Sequence, residues 1–127
     1  MLINTPISLG ELVDKISILI VKERNIKDQT KLNDVKKELN FLQETLIKYV
    51  SNDDINHYLL ELVNINSKLW TIEDDIRDCE RKKQFDKVFI ELARSVYITN
   101  DKRANIKLDI NKEFGSELVE VKSYAKY

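Results

Sequence analysis

The sequence predicts an all-α protein, an antiparallel helical bundle of about four helices with a long charged hairpin and an extended C-terminal tail. Ile55, Tyr58, Leu62, Ile65, Leu69, Ile72, Ile76 and Cys79 recur at spacings of three and four without a break, which is the seam of a long amphipathic helix of coiled-coil type. Two glycines and one proline among 127 residues are too few turn formers for a β-rich chain. Short polar segments ahead of each apolar run supply helix caps. A chain of this length suits a single domain, residues 1–127, with one modest core.

The first helix starts at Ser8-Leu9-Gly10-Glu11, a capping-box pattern with Pro6 just upstream. Leu9, Leu12, Val13, Ile16, Leu19 and Ile20 share one face, and Ile18 and Val21 widen it. A face this broad calls for contact from two sides. Asp28 to Thr30 is the first connection, after which Leu32, Val35, Leu39, Leu42, Leu46 and Tyr49 mark a narrower stripe that runs to about Val50.

Ser51-Asn52-Asp53-Asp54 supplies a turn and an N-terminal cap, with its carboxylates where the helix dipole favours negative charge. The third helix then runs from about Asp53 to Lys82, its first half apolar on two sides and its second half charged outside the seam. Lys82-Lys83-Gln84 closes it, and Asp86 caps a fourth helix with Phe85, Phe89, Leu92, Val96, Ile106 and Ile110 on its apolar side. Phe114-Gly115 is a glycine stop. The tail from Leu118 to Tyr124 is too short to fold alone and should lie extended over the helices or across a partner.

Twenty-one basic and 22 acidic side chains leave a net charge of −1, so no global field favours nucleic acid or an anionic membrane surface. Aromatic residues without a basic stripe point the same way. Met1 to Gly10 lacks a basic leader, and no stretch approaches the roughly 20 apolar residues of a membrane span. These observations predict a cytoplasmic protein. Cys79, the single cysteine, sits on the seam and is expected to be a small buried hydrophobe.

Three places could carry chemistry. The charged hairpin holds Glu73, Asp74, Arg77, Asp78 and Arg81, with Glu91, Arg94 and Asp101 on the returning helix. Asp74 and Asp78 share a face and would bind Mg²⁺ if a second helix offered matching carboxylates, although a solvated, salt-bridged face explains the same pattern. The second place is the fourth helix, where Thr99, Asn100 and Arg103 interrupt the apolar register. Asn100, Arg103 and Lys107 lie a turn apart and form an anion-binding strip, unless Arg103 pairs with Asp14, Glu73 or Glu91 and sets helix register. The third is Glu11, Asp14 and Lys15, for which solvent exposure and a Glu11–Lys15 pair are expected. His57 falls off the seam with no nucleophile beside it, and Trp70 should fill the hairpin interface. Tyr97, Tyr124 and Tyr127 could reach a ligand.

Several segments resemble an uncharacterised family of short bacterial and phage proteins, catalogued as a domain of unknown function. They are Pro6 to Ile16, Leu69 to Arg77, Phe89 to Tyr97, Asn100 to Ala104, Ile106-Lys107 and Val121 to Tyr124. Bacterial members sometimes lie near sugar-transfer and cell-envelope genes, and no activity is established for them. The resemblance implies that the polar residues of these segments, Lys15, Arg94, Arg103, Lys107 and Lys122 among them, share a site. Leu12 to Ile16 with Arg24 is also similar to the first helix of all-helical chorismate mutases, but the later helices do not follow that family's spacing.

Two functions therefore stand open. One is a non-enzymatic interaction or assembly protein, a homodimer or larger homo-oligomer with a possible further protein partner, because the apolar faces of the first and third helices exceed what one small bundle covers. The other is a binding protein or small enzyme for a phosphorylated or carboxylated metabolite. There Arg77, Arg94, Asn100, Arg103, Lys107 and Lys15 would be the anion contacts, and Asp74, Asp78, Asp101, Asp14 and Glu11 the acid, base or metal ligands. No cofactor is expected beyond that Mg²⁺.

Overall fold

Ser8 opens α1 (Leu9–Asn25), its side chain accepting from the Glu11 backbone N–H at 3.1 Å. The return half of the capping box is not made. Glu11 turns its carboxylate to Lys107 instead, because a charged ammonium is a stronger partner than a neutral amide. The computed structural model describes all 127 residues, and the same cap-by-cap logic sets the other three helices.

Asp28 caps α2 (Gln29–Leu46) by accepting from Lys31 N–H at 2.9 Å, so the first connection is Ile26 to Asp28 and ends two residues earlier than the sequence suggests. α2 also stops short of Val50. Lys48 and Tyr49 donate to carbonyls three residues back, and this tighter turn unwinds the last stretch. Ser51 caps α3 (Asn52–Lys82), which ends on Lys83 in the left-handed conformation at φ 54°. Asp86 caps α4 (Lys87–Glu113), and Gly115 at φ 66° reverses the chain after it. Residues beyond Gly115 form no helix or strand.

Short connections force α1 and α2, and α3 and α4, to run antiparallel. The exposed ion pair Lys15–Glu38 bridges the two helices of the first hairpin. α1 is the central helix, since it touches α2, α3 and α4, whereas α2 packs on α1 alone. Val13, Ile16 and Leu19 of α1 meet Val35, Leu39 and Leu46 of α2, Ile55 and Leu62 of α3 and Ile110 of α4 in one core. Each such side chain contributes about 1.5–3 kcal/mol on full burial. The broad face of α1 is thus covered inside the chain.

α3 and α4, at 31 and 27 residues, outreach α1 and α2, at 17 and 18. Their distal ends form a two-helix hairpin with little else over it. Between Asn66 and Lys107 along the chain, Cys79 is the one fully buried residue, and the seam residues Leu69, Ile72 and Ile76 are half-buried. No helix is long and apolar enough to cross a membrane.

Candidate functional site

Asp14 lies on the face of α1 turned toward α3 and α4 and has no solvent exposure at all, contrary to the exposed position its charged neighbours suggest. The turn that carries Val13 and Ile16 inward carries Asp14 with them. Arg103 answers it from α4 in a two-pronged pair, Nε to Oδ1 at 2.9 Å and Nη2 to Oδ2 at 2.5 Å. This fork geometry suits a guanidinium and a carboxylate. Asn66 of α3 donates to Asp14 Oδ1 at 3.0 Å and to the Ser17 hydroxyl at 2.7 Å, and Ser17 donates to the Asp14 carbonyl. The hydrogen bonds to Asp14 hold the Arg103 pKa above its ordinary value against the opposing effect of burial. One network therefore ties α1, α3 and α4 together.

One turn further along α4, Lys107 is buried to 6% exposure, and its ammonium has three carboxylates around it. Glu11 lies at 2.8 Å, Glu120 at 2.7 Å and Asp14 at 4.0 Å. Burial opposes its charge, but the bonds to Glu11 and Glu120 and the field of Asp14 outweigh it and raise the pKa above the ordinary lysine range. Two of the carboxylates belong to α1. The third is brought by the C-terminal tail.

The start of α1 is clamped against α4 in the same region. Gly10 N–H donates to Asn111 Oδ1 at 2.7 Å, Leu9 N–H donates to the Ser116 hydroxyl at 3.2 Å, and Glu11 N–H goes to Ser8. These bonds satisfy the first amides of α1, so that helix end offers no free donors for an anion.

The tail runs back along α4. Glu120 sits on Lys107, Lys122 on Asp101 at 3.1 Å, and the Tyr127 hydroxyl donates to Asp101 at 2.7 Å while its ring meets Tyr97 edge to face at 5.2 Å. The Tyr127 hydroxyl and Lys122 hold the Asp101 carboxyl below the usual range. A carboxylate held ionised in this way is a weak proton acceptor and suits electrostatic holding better than proton transfer. Tail, α4 and Glu11 enclose an open cleft of about 880 Å³. Arg103 and Asn100 form its far wall and also line a second hollow of about 440 Å³ on the other side, where Trp70, Arg77 and Lys22 stand.

Asn100, Arg103, Lys107 and Asp101 of the sequence candidates thus meet at one cleft, with Glu11 and Asp14 beside them. Lys15 is not among them. It pairs with Glu38 at 3.3 Å instead of with Glu11, which Lys107 has taken. The charged hairpin is a solvated face: Glu73–Arg77 at 3.4 Å, Asp78–Arg81 at 3.0 Å, Asp78–Lys82 at 2.8 Å and Glu91–Arg94 at 3.3 Å all close within their own helices. Arg94 is therefore engaged away from Arg103, and Arg77 reaches only the second hollow. Asp74, Asp78 and Asp101 are not brought together, and no three His, Cys, Asp or Glu side chains are grouped to hold a metal ion. His57 packs on Tyr58, and Cys79 is buried in the hairpin.

Sequence reasoning missed Ser17, Asn66, Asn111 and Glu120. Asn66 had a readable signal, because it continues the second apolar face of α3 after Leu59 and Val63. Glu120 had none, since its partner is set by how the tail folds back.

The model of one protein family, described as a family of unknown function (DUF6165), matches residues 3–127. No curated protein and no solved structure matches the chain.

Proposed function

We propose that this chain, which belongs to DUF6165, a family of unknown function, is a binding protein whose cleft between α1, α4 and the tail takes a carboxylate- or phosphate-bearing ligand at Lys107. The observation that carries the reading is the pairing of a buried ammonium with a carboxylate from an exposed, irregular tail. Glu11 and Asp14 are held by helix α1, but Glu120 is exchangeable, and an incoming carboxylate that replaces it leaves the charge balance at Lys107 unchanged, while a phosphate adds negative charge. Arg103 fixes the wall of the cleft through Asp14, and Asn100 adds an amide to the same wall.

A thermal-shift screen with glutarate, succinate, inorganic phosphate and a sugar phosphate tests this. A ligand at a hundred times its dissociation constant adds about 2.7 kcal/mol, which is roughly 10 °C for a domain of this size. The shift should vanish in Lys107→Met and grow in Glu120→Gln, where the lysine is vacated. A flat response in the wild type and in Glu120→Gln defeats the reading.

One observation favours a second reading, a homo-oligomeric assembly protein. Phe85, Val88 and Ile90 at the hairpin end are each more than half exposed, beside a seam that two helices alone leave half-covered. Light scattering at 100 μM decides it, and a mass equal to one chain rules it out.

A further inference from the structure

We infer that the α4 side of this cleft recognises an extended peptide segment of a partner protein, one carrying an acidic residue two positions ahead of a basic residue. The inference rests on the reading of the cleft as a binding site and names the class of ligand.

The tail is its template. Glu120 and Lys122 are two apart, so in an extended chain they face the same way, and both face α4. Their partners Lys107 and Asp101 are six residues apart on α4, about 9 Å of helix rise, against about 7 Å between alternate residues of an extended chain. Two long lysine side chains close the difference. The order of charge makes the groove directional, because the tail runs antiparallel to α4 and a reversed segment would set Glu120 on Asp101 and Lys122 on Lys107. Tyr97 adds an aromatic edge beyond Asp101, which Tyr127 occupies.

The mode of attachment shows that the tail is a ligand-like occupant more than a structural element. No backbone group of residues 118–127 hydrogen-bonds to a helix, so the groove reads side chains alone. Leu118, Val119 and Val121 are 47%, 46% and 85% exposed, so the tail buries little apolar surface as it docks. The Lys122–Asp101 pair is partly exposed on both sides and weak on its own, and Glu120 keeps nearly half of its side chain in water while it pairs with buried Lys107. After the Gly115 reversal, Ser116 is tied by its N–H to the Asn111 carbonyl and by its hydroxyl to Leu9 N–H, so the tail beyond Ser116 can leave without disturbing α4. A partner segment of the same charge order makes the same pairs and can also fill the open cleft under the tail.

The test uses the full chain carrying Glu120→Gln and Lys122→Met, with helicity checked by circular dichroism. A fluorescein-labelled peptide of residues 116–127 is titrated by anisotropy at low salt, beside a peptide in which the Glu and Lys are exchanged. Saturable binding of the first peptide is expected, at least tenfold tighter than the exchanged one and at least tenfold tighter than to the wild-type chain, whose own tail competes. No saturable binding, or equal binding of the two peptides, overturns the inference. If glutarate or phosphate shifts the melting of this variant while neither peptide binds, the anion reading of Lys107 stands and the peptide inference alone falls. If none of them acts, both fall.

Discussion

Asp14 and Arg103 form the most consequential pair of side chains, because one of them has no contact with water and each is the other's counter-ion. Arg103→Ala leaves a buried carboxylate with only the Asn66 amide and the Lys107 ammonium 4.0 Å away to hold it, and the loss should be about 3 kcal/mol in urea unfolding. Asp14→Ala should cost a similar amount. The double variant should cost well under the sum, and additive losses would show that the pair is not coupled. Tyr58 gives a second readout. The Glu113 carboxylate beside its hydroxyl, burial, and the nearby Asp109 and Glu61 push its pKa up to about 12. A raised tyrosine pKa means that folding favours the protonated phenol, so this contribution is complete below the ordinary value of about 10 and is lost as pH climbs through about 12. Absorbance at 295 nm should show a late-ionising tyrosine that is missing in Tyr58→Phe, and simultaneous ionisation of all five near pH 10 with helicity intact would contradict it. The Asp14–Arg103 pairing was among the alternatives legible in the sequence, since an arginine on an apolar stripe requires a counter-ion. The burial of Asp14 was hidden because Glu11, Asp14 and Lys15 look like one exposed polar turn, and only the arrival of α3 and α4 separates them.

Helix ends were the most readable elements, because a cap is decided within four residues. Ser8, Ser51 and Asp86 each cap the helix they precede in sequence. Contacts between elements were less readable, and Gly10 illustrates why. Within a helix, Gly→Ala gains about 0.5–1 kcal/mol by propensity, so sequence alone predicts that Gly10→Ala stabilises α1. The packed structure reverses the sign. A β-carbon at position 10 would press into the backbone carbonyl of Lys107 and lie 3.0 Å from Asn111 Oδ1, so α1 and α4 would have to separate. Overpacking of this kind costs about 1–3 kcal/mol, which exceeds the propensity gain. Gly10→Ala should therefore lower the melting temperature by several degrees, and a rise would mean that the approach of the two helices is softer than its geometry indicates. That the tail lies over the helices was legible, but which side chains it would deliver to α4 was not, because no local pattern specifies a contact between Glu120 and Lys107.

At the scale of the molecule, stability is distributed unevenly. The core sits where α1 meets the proximal ends of α3 and α4, whereas the distal hairpin has Cys79 as its one buried residue between Asn66 and Lys107. A region with so little buried apolar surface opens locally at lower free energy than the core. Amide exchange should therefore be fast across roughly 70–92 and slow across 12–21 and 55–63, and Cys79 should react with a thiol reagent without global unfolding. Concentration is the second variable in the same experiment. If hairpin exchange does not change between 1 and 100 μM protein, the hairpin works as an uncovered two-helix arm. If protection there rises with concentration while the core stays as it was, a second copy is covering Phe85, Val88 and Ile90. Equal protection of hairpin and core at every concentration would show that two helices alone hold the arm as firmly as the three-helix junction, against the burial pattern. That exchange profile decides whether the long helices are a surface for assembly or a lever that holds α4, and with it the Lys107 cleft, in place.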